Sequence, residues 1–416
     1  YGYTVNWSFQ EAPFASLFQK AATSLATGSQ EFNIIVSDSQ WLGAFAEPGW
    51  IVNISDLIAG DFPQYGEIEW YDPVVQKAYQ FYPDGTETIW GLPQTGDVVV
   101  LYVNQELLLN EDERAAFEAE YDWTLPATYE DWFDIDFDQF EQIAAFFTRP
   151  EEDLYGTAMQ YSKEYDFMTM FLYPFMFSLG GDIWDPATGD VWGILNSDVN
   201  AQAMEINKRW LNYQPPGALN YGIPDIVDVF TQDKVFSGYQ WAAMGAGMIP
   251  EGLEDKYMVV VPPGARQEDG SVKRVWSIGG QPWVINANND EAHMRVVHDF
   301  LNWWYLPETQ IRFNEVGGNP ATALALNSEG YDDIQVWNRA YKDMLTEETA
   351  RDFWHEPTYS EMLAVQQEGW TAFASGQVTD AKNTLDWIAC QQQEILYDAG
   401  RTDNPAPDEC DDIELD

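Results

Sequence analysis

Phe32-Asn33-Ile34-Ile35-Val36-Ser37-Asp38-Ser39-Gln40-Trp41-Leu42-Gly43-Ala44-Phe45-Ala46 is the stretch that decides the fold. Its first half is a short apolar run rich in β-branched residues, the pattern of a buried strand. A polar junction follows, and a helix opens from Trp41 to Ala46. Upstream, Phe14 to Ala26 reads as an amphipathic helix and Tyr3 to Trp7 as a strand. Strands alternating with helices predict an α/β protein.

The alternation continues along the chain. Val98 to Val103 is an uninterrupted apolar run of strand character. From Thr128, a plausible N-cap, to Phe147 the sequence predicts a helix whose start is crowded with acids. Met168 to Leu179 predicts a strongly apolar helix stopped by Gly180-Gly181. Met258 to Val261 and Trp283 to Ile285 return to strand character, and Glu291 to Trp304 reads as a helix that ends before Pro307. Helices are predicted again over Tyr359 to Ala374 and Thr379 to Asp398, with a loop after Gly400. No internal repeat is visible.

A chain of 416 residues exceeds one compact core, and the size prior gives about two or three domains. Its 45% apolar and 15% aromatic content excludes a disordered chain, and no uncharged run approaches the ~20 residues that span a bilayer. Lys and Arg number 19 against 69 Asp and Glu, a formal charge of -50. Nucleic acid and anionic membranes are poor partners for such a surface. Two explanations of the acidity stand: a solvated surface suited to high external salt, where repulsion between carboxylates is screened, or a cationic ligand.

The 19 tryptophans point to a ligand class. Trp41, Trp90, Trp241 and Trp283 lie beside glycines or in short polar junctions rather than on regular apolar stripes. An indole offers a broad apolar face and one N–H donor, so it stacks on the C–H face of a sugar while carboxylates and amides bond the hydroxyls. Core packing is the competing reading for each indole taken singly. Cys390 and Cys410 are the two cysteines, and their pairing would close a loop of about twenty residues that contributes about 3 kcal/mol. A bridge there would pin the tail Thr402 to Asp408, in keeping with an oxidising compartment. No signal peptide begins at Tyr1, so either one has been removed or the chain starts downstream of it.

Catalytic and metal motifs fail. Asp134, Asp136 and Asp138 are spaced like a calcium loop but lack its glycine, and a helix N-terminus explains them. His293, His298 and His355 form no HExxH pattern, two cysteines cannot build a zinc cluster, and no GxSxG, P-loop or dinucleotide fingerprint occurs. No enzyme activity, cofactor or metal is expected.

Seven segments, taken in order, resemble the extracellular solute-binding proteins of ABC importers, in the carbohydrate group that includes maltose-binding protein. They are Ser37 to Gly49, Gly91 to Asn104, Ser178 to Asp182, Phe230 to Trp241, Ile278 to Asn286, Gly317-Gly318-Asn319-Pro320, and the closing helices through Phe373 to Gly376. The departures are the family's opening strand and helix, which have no counterpart here, and Ala321 and Thr322, where many relatives carry a basic residue.

The resemblance implies two hinge-linked α/β lobes with the ligand cleft between them. Residues 1–103 with 258–306 would form the first lobe, and 104–257 with 307–416, including the acidic tail, the second. Asp38, Gln40, Trp41 and Asp97 would line the cleft from the first lobe, at strand ends where open α/β sheets bind ligands. Asp182, Trp241, Trp354, Glu356 and Tyr359 would do so from the second, with Trp241 matching the family's stacking position. Gly279, Gly280 and Trp283 would line the hinge side. The implied protein is a monomeric receptor at the periplasmic or extracellular face that delivers a sugar or polyol to importer permease subunits. A polyamine-like ligand on the same fold and a glycoside hydrolase are the alternatives.

Overall fold

A computed structural model describes residues 4–12 and 14–415. Tyr3, the start of the first expected strand, lies outside the described residues, and residues 4–12 have no regular secondary structure. The chain clusters into two compact units, each made of three segments. Unit 1 comprises residues 1–96, 280–329 and 353–359, and unit 2 comprises 97–279, 330–352 and 360–416.

These bounds differ from those expected. Residues 97–103 and 258–279 belong to unit 2, and 307–329 to unit 1. The reason lies in pairing that no local pattern announces. The 307–329 segment is tied to unit 1 by backbone bonds from Tyr71 N to the Ala321 carbonyl (3.0 Å) and from Ala323 N to the Glu69 carbonyl (2.9 Å).

In unit 1 the short strand β1 (Ile34–Val36) pairs antiparallel with residues 283–285, Ile34 opposite Ile285 and Val36 opposite Trp283. Ile54, Tyr65, Leu92, Ile285, Val297 and Leu301 form its core. The expected helix over 291–304 is present as Glu291–Trp304, capped by the Asp290 side chain on His293 N. A cavity of about 750 Å³ is lined by Trp7, Ala21, Ile35, Trp283 and Phe300 among others.

In unit 2, β2 (Leu92–Asn104), which enters from unit 1, pairs antiparallel on one side with β4 (Val235–Trp241) and on the other with β5 (Tyr257–Val260). β3 (Tyr155–Ala158) runs parallel to β4. β6 (Ala265–Arg266) and β7 (Val272–Lys273) make a small hairpin. β8 (Trp276–Ile285) begins in unit 2, where its first residues run parallel to β9 (Ala350–Arg351). Its later residues are the strand that pairs with β1.

The apolar helix Thr169–Leu179 is buried from Thr169 to Ser178, as a helix apolar on all sides must be. Gly180 stops it at φ +92°. The single helix expected over 128–147 is instead a 3₁₀ turn, Glu130–Asp134, followed by the helix Phe137–Phe146. Asp136 interrupts the run because its side chain caps Gln139 N (2.9 Å) in a capping box, a competing local bond that favours a new helix start. Arg266 bridges Asp134 and Asp136 at 2.7 and 2.8 Å, so this acidic cluster is a capped and neutralised helix start. Cys390 and Cys410 are disulfide-bonded, with Cα atoms 5.6 Å apart. Tail residues Thr402 and Asn404 and helix residue Gln393 donate to the Asp190 carboxylate; burial raises its pKa, but the side-chain hydrogen bonds of Asn404, Thr402, Thr188 and Gln393 together outweigh that and lower it. Among the described residues no helix is long and apolar enough to cross a membrane.

Candidate ligand-binding site

Trp241 ends β4, opposite Val99 of β2, and its ring is partly exposed. The chain then turns into a 3₁₀ segment, Ala242–Met244. Three side chains fix that turn. Asp97 Oδ1 accepts from Ala243 N at 3.0 Å and from its own neighbour Val98 N at 3.0 Å. Tyr102, wholly buried, donates its hydroxyl to the Trp241 carbonyl at 3.1 Å. Its phenol pKa is raised well above 10, first by burial and then by the charge of Asp97, so it stays a donor at every working pH. Gln240 Oε1 accepts from Trp241 N (3.0 Å) and from Gln160 Nε2 (3.0 Å). The indole meets the edge of Phe171 at 6.2 Å and lies against the bare backbone of Gly279.

Asp182, also in unit 2, receives Arg351 Nη2 at 2.5 Å and Ile183 N at 2.7 Å, while the guanidinium lies 4.3 Å over Phe177. Both charged groups are more than a third exposed, so solvent screens the pair and its contribution to stability is small.

In unit 1 Asp38 precedes the 3₁₀ turn Ser39–Trp41 that enters the helix Leu42–Ala46, and Ser39 donates to its carboxylate at 3.3 Å. Asp38 and Gln40 are buried, and Trp41 has no exposed surface. Its ring contacts Phe18 at 5.4 Å and Phe45 at 6.0 Å. Phe18 also takes the edge of Tyr359 at 5.4 Å. The 353–359 segment reaches this helix through Gly43, whose N–H donates to the His355 carbonyl at 3.2 Å. A Cβ on residue 43 would sit 2.2 Å from that oxygen, so the approach requires glycine. Residues 38–43 and 353–359, some three hundred positions apart, thus form one patch.

Trp354, Glu356 and Tyr359, expected in the second lobe, therefore belong to unit 1, and Asp97, expected in the first, belongs to unit 2. All three of the former are buried, Trp354 completely. Gly280 has φ +95°, the left-handed conformation that favours glycine, which accounts for that residue in backbone terms. The Trp283 ring is held by Phe300 at 5.3 Å and Trp304 at 5.7 Å, both edge-on. One pair went unnoticed in the sequence: His355 Nδ1 lies 2.6 Å from Asp84 Oδ1, and His355 N donates to Asp84 Oδ2 at 3.0 Å. Their separation of 271 positions leaves no local signal. Among the described residues no cluster of three or more His, Cys, Asp or Glu is placed to hold a metal.

The family model of the bacterial extracellular solute-binding proteins matches residues 1–311. The chain belongs to that family. Among solved structures, a solute-binding protein of Agrobacterium radiobacter in complex with ribitol is 18% identical with a TM-score of 0.72, over 91% of this chain and 88% of that one. Maltose-bound MalE3 of T. maritima is 17% identical with a TM-score of 0.70, over 91% and 88%. The GacH receptor of Streptomyces glaucescens, described in complex with acarbose, is 14% identical with a TM-score of 0.71, over 93% and 89%. At these identities the likeness establishes the fold. No curated protein matches the chain at a significant level.

Proposed function

We propose that this protein is an extracytoplasmic receptor that binds a sugar or polyol and delivers it to an ABC importer. The observation that carries the ligand class is Trp241: a partly exposed indole laid on a glycine backbone and held by Asp97, Tyr102 and Gln240. A rigid, half-wet aromatic plane suits the C–H face of a carbohydrate. The fold relatives named above, with ribitol, maltose and acarbose, support the same class. Asp38, Gln40, Glu356 and Asp182 are the proposed hydroxyl partners, and the permease subunits of the importer the proposed protein partner.

The test is a thermal-shift panel of ribitol, D-mannitol, D-tagatose, maltose and acarbose, with spermidine as the cationic arm. A ligand at about 100 times its dissociation constant adds about 2.7 kcal/mol, a clear upward shift. Stabilisation by spermidine alone would transfer the reading to a cationic solute. The same sugars should be returned chemically unchanged after incubation, and release of reducing ends at enzymatic rates would make the protein a hydrolase.

A further inference from the structure

We propose that Asp97 and Gly279 are positioning residues for the Trp241 indole, Asp97 by fixing the turn after it and Gly279 by leaving bare backbone beneath it. The functional meaning of this rests on the platform reading of Trp241, but the geometry stands apart from it.

The 3₁₀ turn Ala242–Met244 follows the indole directly, and a residue at a strand end takes its direction from the turn that comes next. Asp97 lies two positions before Val99, the residue opposite Trp241, and so stands level with Ala243. One carboxylate oxygen accepts both Val98 N and Ala243 N, which ties the start of the β2 segment in unit 2 to the turn of the neighbouring strand. Two backbone donors converge at 3.0 Å on that one oxygen, so a single acceptor at position 97 anchors the turn. Asp97 is buried, as an anchor inside a sheet must be.

Gly279 supplies the other half. A Cβ there would lie 2.8 Å from Cζ3, 3.0 Å from Cη2 and 3.2 Å from Cε3 of the Trp241 ring. Its φ is not in the left-handed region, so backbone conformation does not explain the glycine. The space taken by the ring does. Phe171 packs against the ring edge-on at 6.2 Å, and a methyl group on residue 279 must shift the indole.

The experiment uses fluorine NMR on the full chain labelled with fluorotryptophan, without ligand, the Trp241 resonance being identified by its loss in Trp241→Phe. Asp97→Ala and Gly279→Ala should each move or broaden that resonance while leaving most of the other tryptophans in place. Asp97→Asn keeps an oxygen acceptor and should stay close to wild type. A Trp241 resonance unmoved in Asp97→Ala, or moved equally in Asp97→Asn, overturns the role of Asp97, and an unmoved resonance in Gly279→Ala overturns the seat. If Asp97→Ala does not fold by circular dichroism, Asp97→Ser replaces it. In maltose titrations Asp97→Ala and Trp241→Ala should each weaken binding about tenfold or more, and the double variant should be no weaker than Trp241→Ala alone. Additive losses would make Asp97 a direct ligand contact. Should no panel compound bind the wild type, the proposed function fails while the fluorine result still decides the positioning.

Discussion

Unit 2 packs most of its aromatic side chains into a continuous interior, with Phe133 and Tyr397 left 40% and 42% exposed, whereas unit 1 leaves its most exposed aromatics further in water. In unit 2 Phe137 stacks on Phe175 at 4.7 Å, Phe175 meets Trp210 at 4.9 Å, and Tyr239 stacks on Trp276 at 4.9 Å. In unit 1 Trp7, Phe9 and Trp303 are 50%, 82% and 48% exposed, and residues 4–12 line a cavity. The difference follows from what each unit offers as a partner. Unit 2 has β2, β3, β4 and β5 in one hydrogen-bonded run, so helices find a broad sheet to cover. In unit 1 the three-residue β1 pairs with the end of β8, itself a neighbour of β2 in the sheet, and so short a strand offers the apolar side chains near it little surface to pack on. Similar residues thus acquire different energetic weight from the area their neighbours can cover.

The sharpest way to break this comparison is a pair of truncations. Trp210→Ala, at a position with no exposed surface, should cost about 3–5 kcal/mol in chemical denaturation followed by circular dichroism. Trp7→Ala should cost only about 1–2 kcal/mol in the same assay, because half of its surface is already wet. Equal losses would erase the distinction between the units.

Proton linkage sharpens it from the side of unit 1. His298 is buried, stacked on Phe62 at 3.5 Å and bonded to the Tyr65 hydroxyl at 2.8 Å. Desolvation pushes its pKa down to about 4, against a weaker opposing pull from Asp299. The unfolded chain, with an ordinary imidazole near 6.5, takes up the proton first, so stability is complete above about pH 6.5 and is lost as pH falls toward 4. The loss should reach about 2–4 kcal/mol from this group, and His298→Gln should flatten that part of the curve.

For unit 2 the tail is the lever. Reducing the Cys390–Cys410 bridge, or Cys390→Ser with Cys410→Ser, should cost about 3 kcal/mol by releasing a loop of 20 residues. Thiol titration of the unfolded, unreduced protein should find no free thiol. The smallest effect belongs to the helix cap: Asp136→Ala should cost about 1 kcal/mol, with denaturant midpoints as the measure. A neutral outcome there would mean that Arg266, bound also to Asp134, carries the helix start without the cap.

Much of the fold was legible because its signals are local. Periodicity placed the helices Phe14–Ala26, Thr169–Leu179, Glu291–Trp304 and Ala381–Asp398 within a residue or two, and Val98 to Val103 is the centre of β2. Over 128–147 the spacing predicts one helix, but Asp136 competes for the backbone and starts a new one, a choice that apolar spacing does not register. Trp241 could be named from the sequence, since an indole at a strand end beside polar residues is visible there.

What holds Trp241 could not be named so. By itself the sequence determined the α/β class, the acid excess of a -50 chain, the family to which its ordered motifs lead and the two cysteines available to pair. These depend on composition and near neighbours. Tertiary structure alone decided that 353–359 packs on Gly43, that Asp84 meets His355, that Asp97 reaches Ala243, and that the indole needs a glycine at 279. Each of these contacts joins residues from about 40 to more than 300 positions apart, and only the closing of the chain into strands and turns brings such groups within hydrogen-bonding or van der Waals distance.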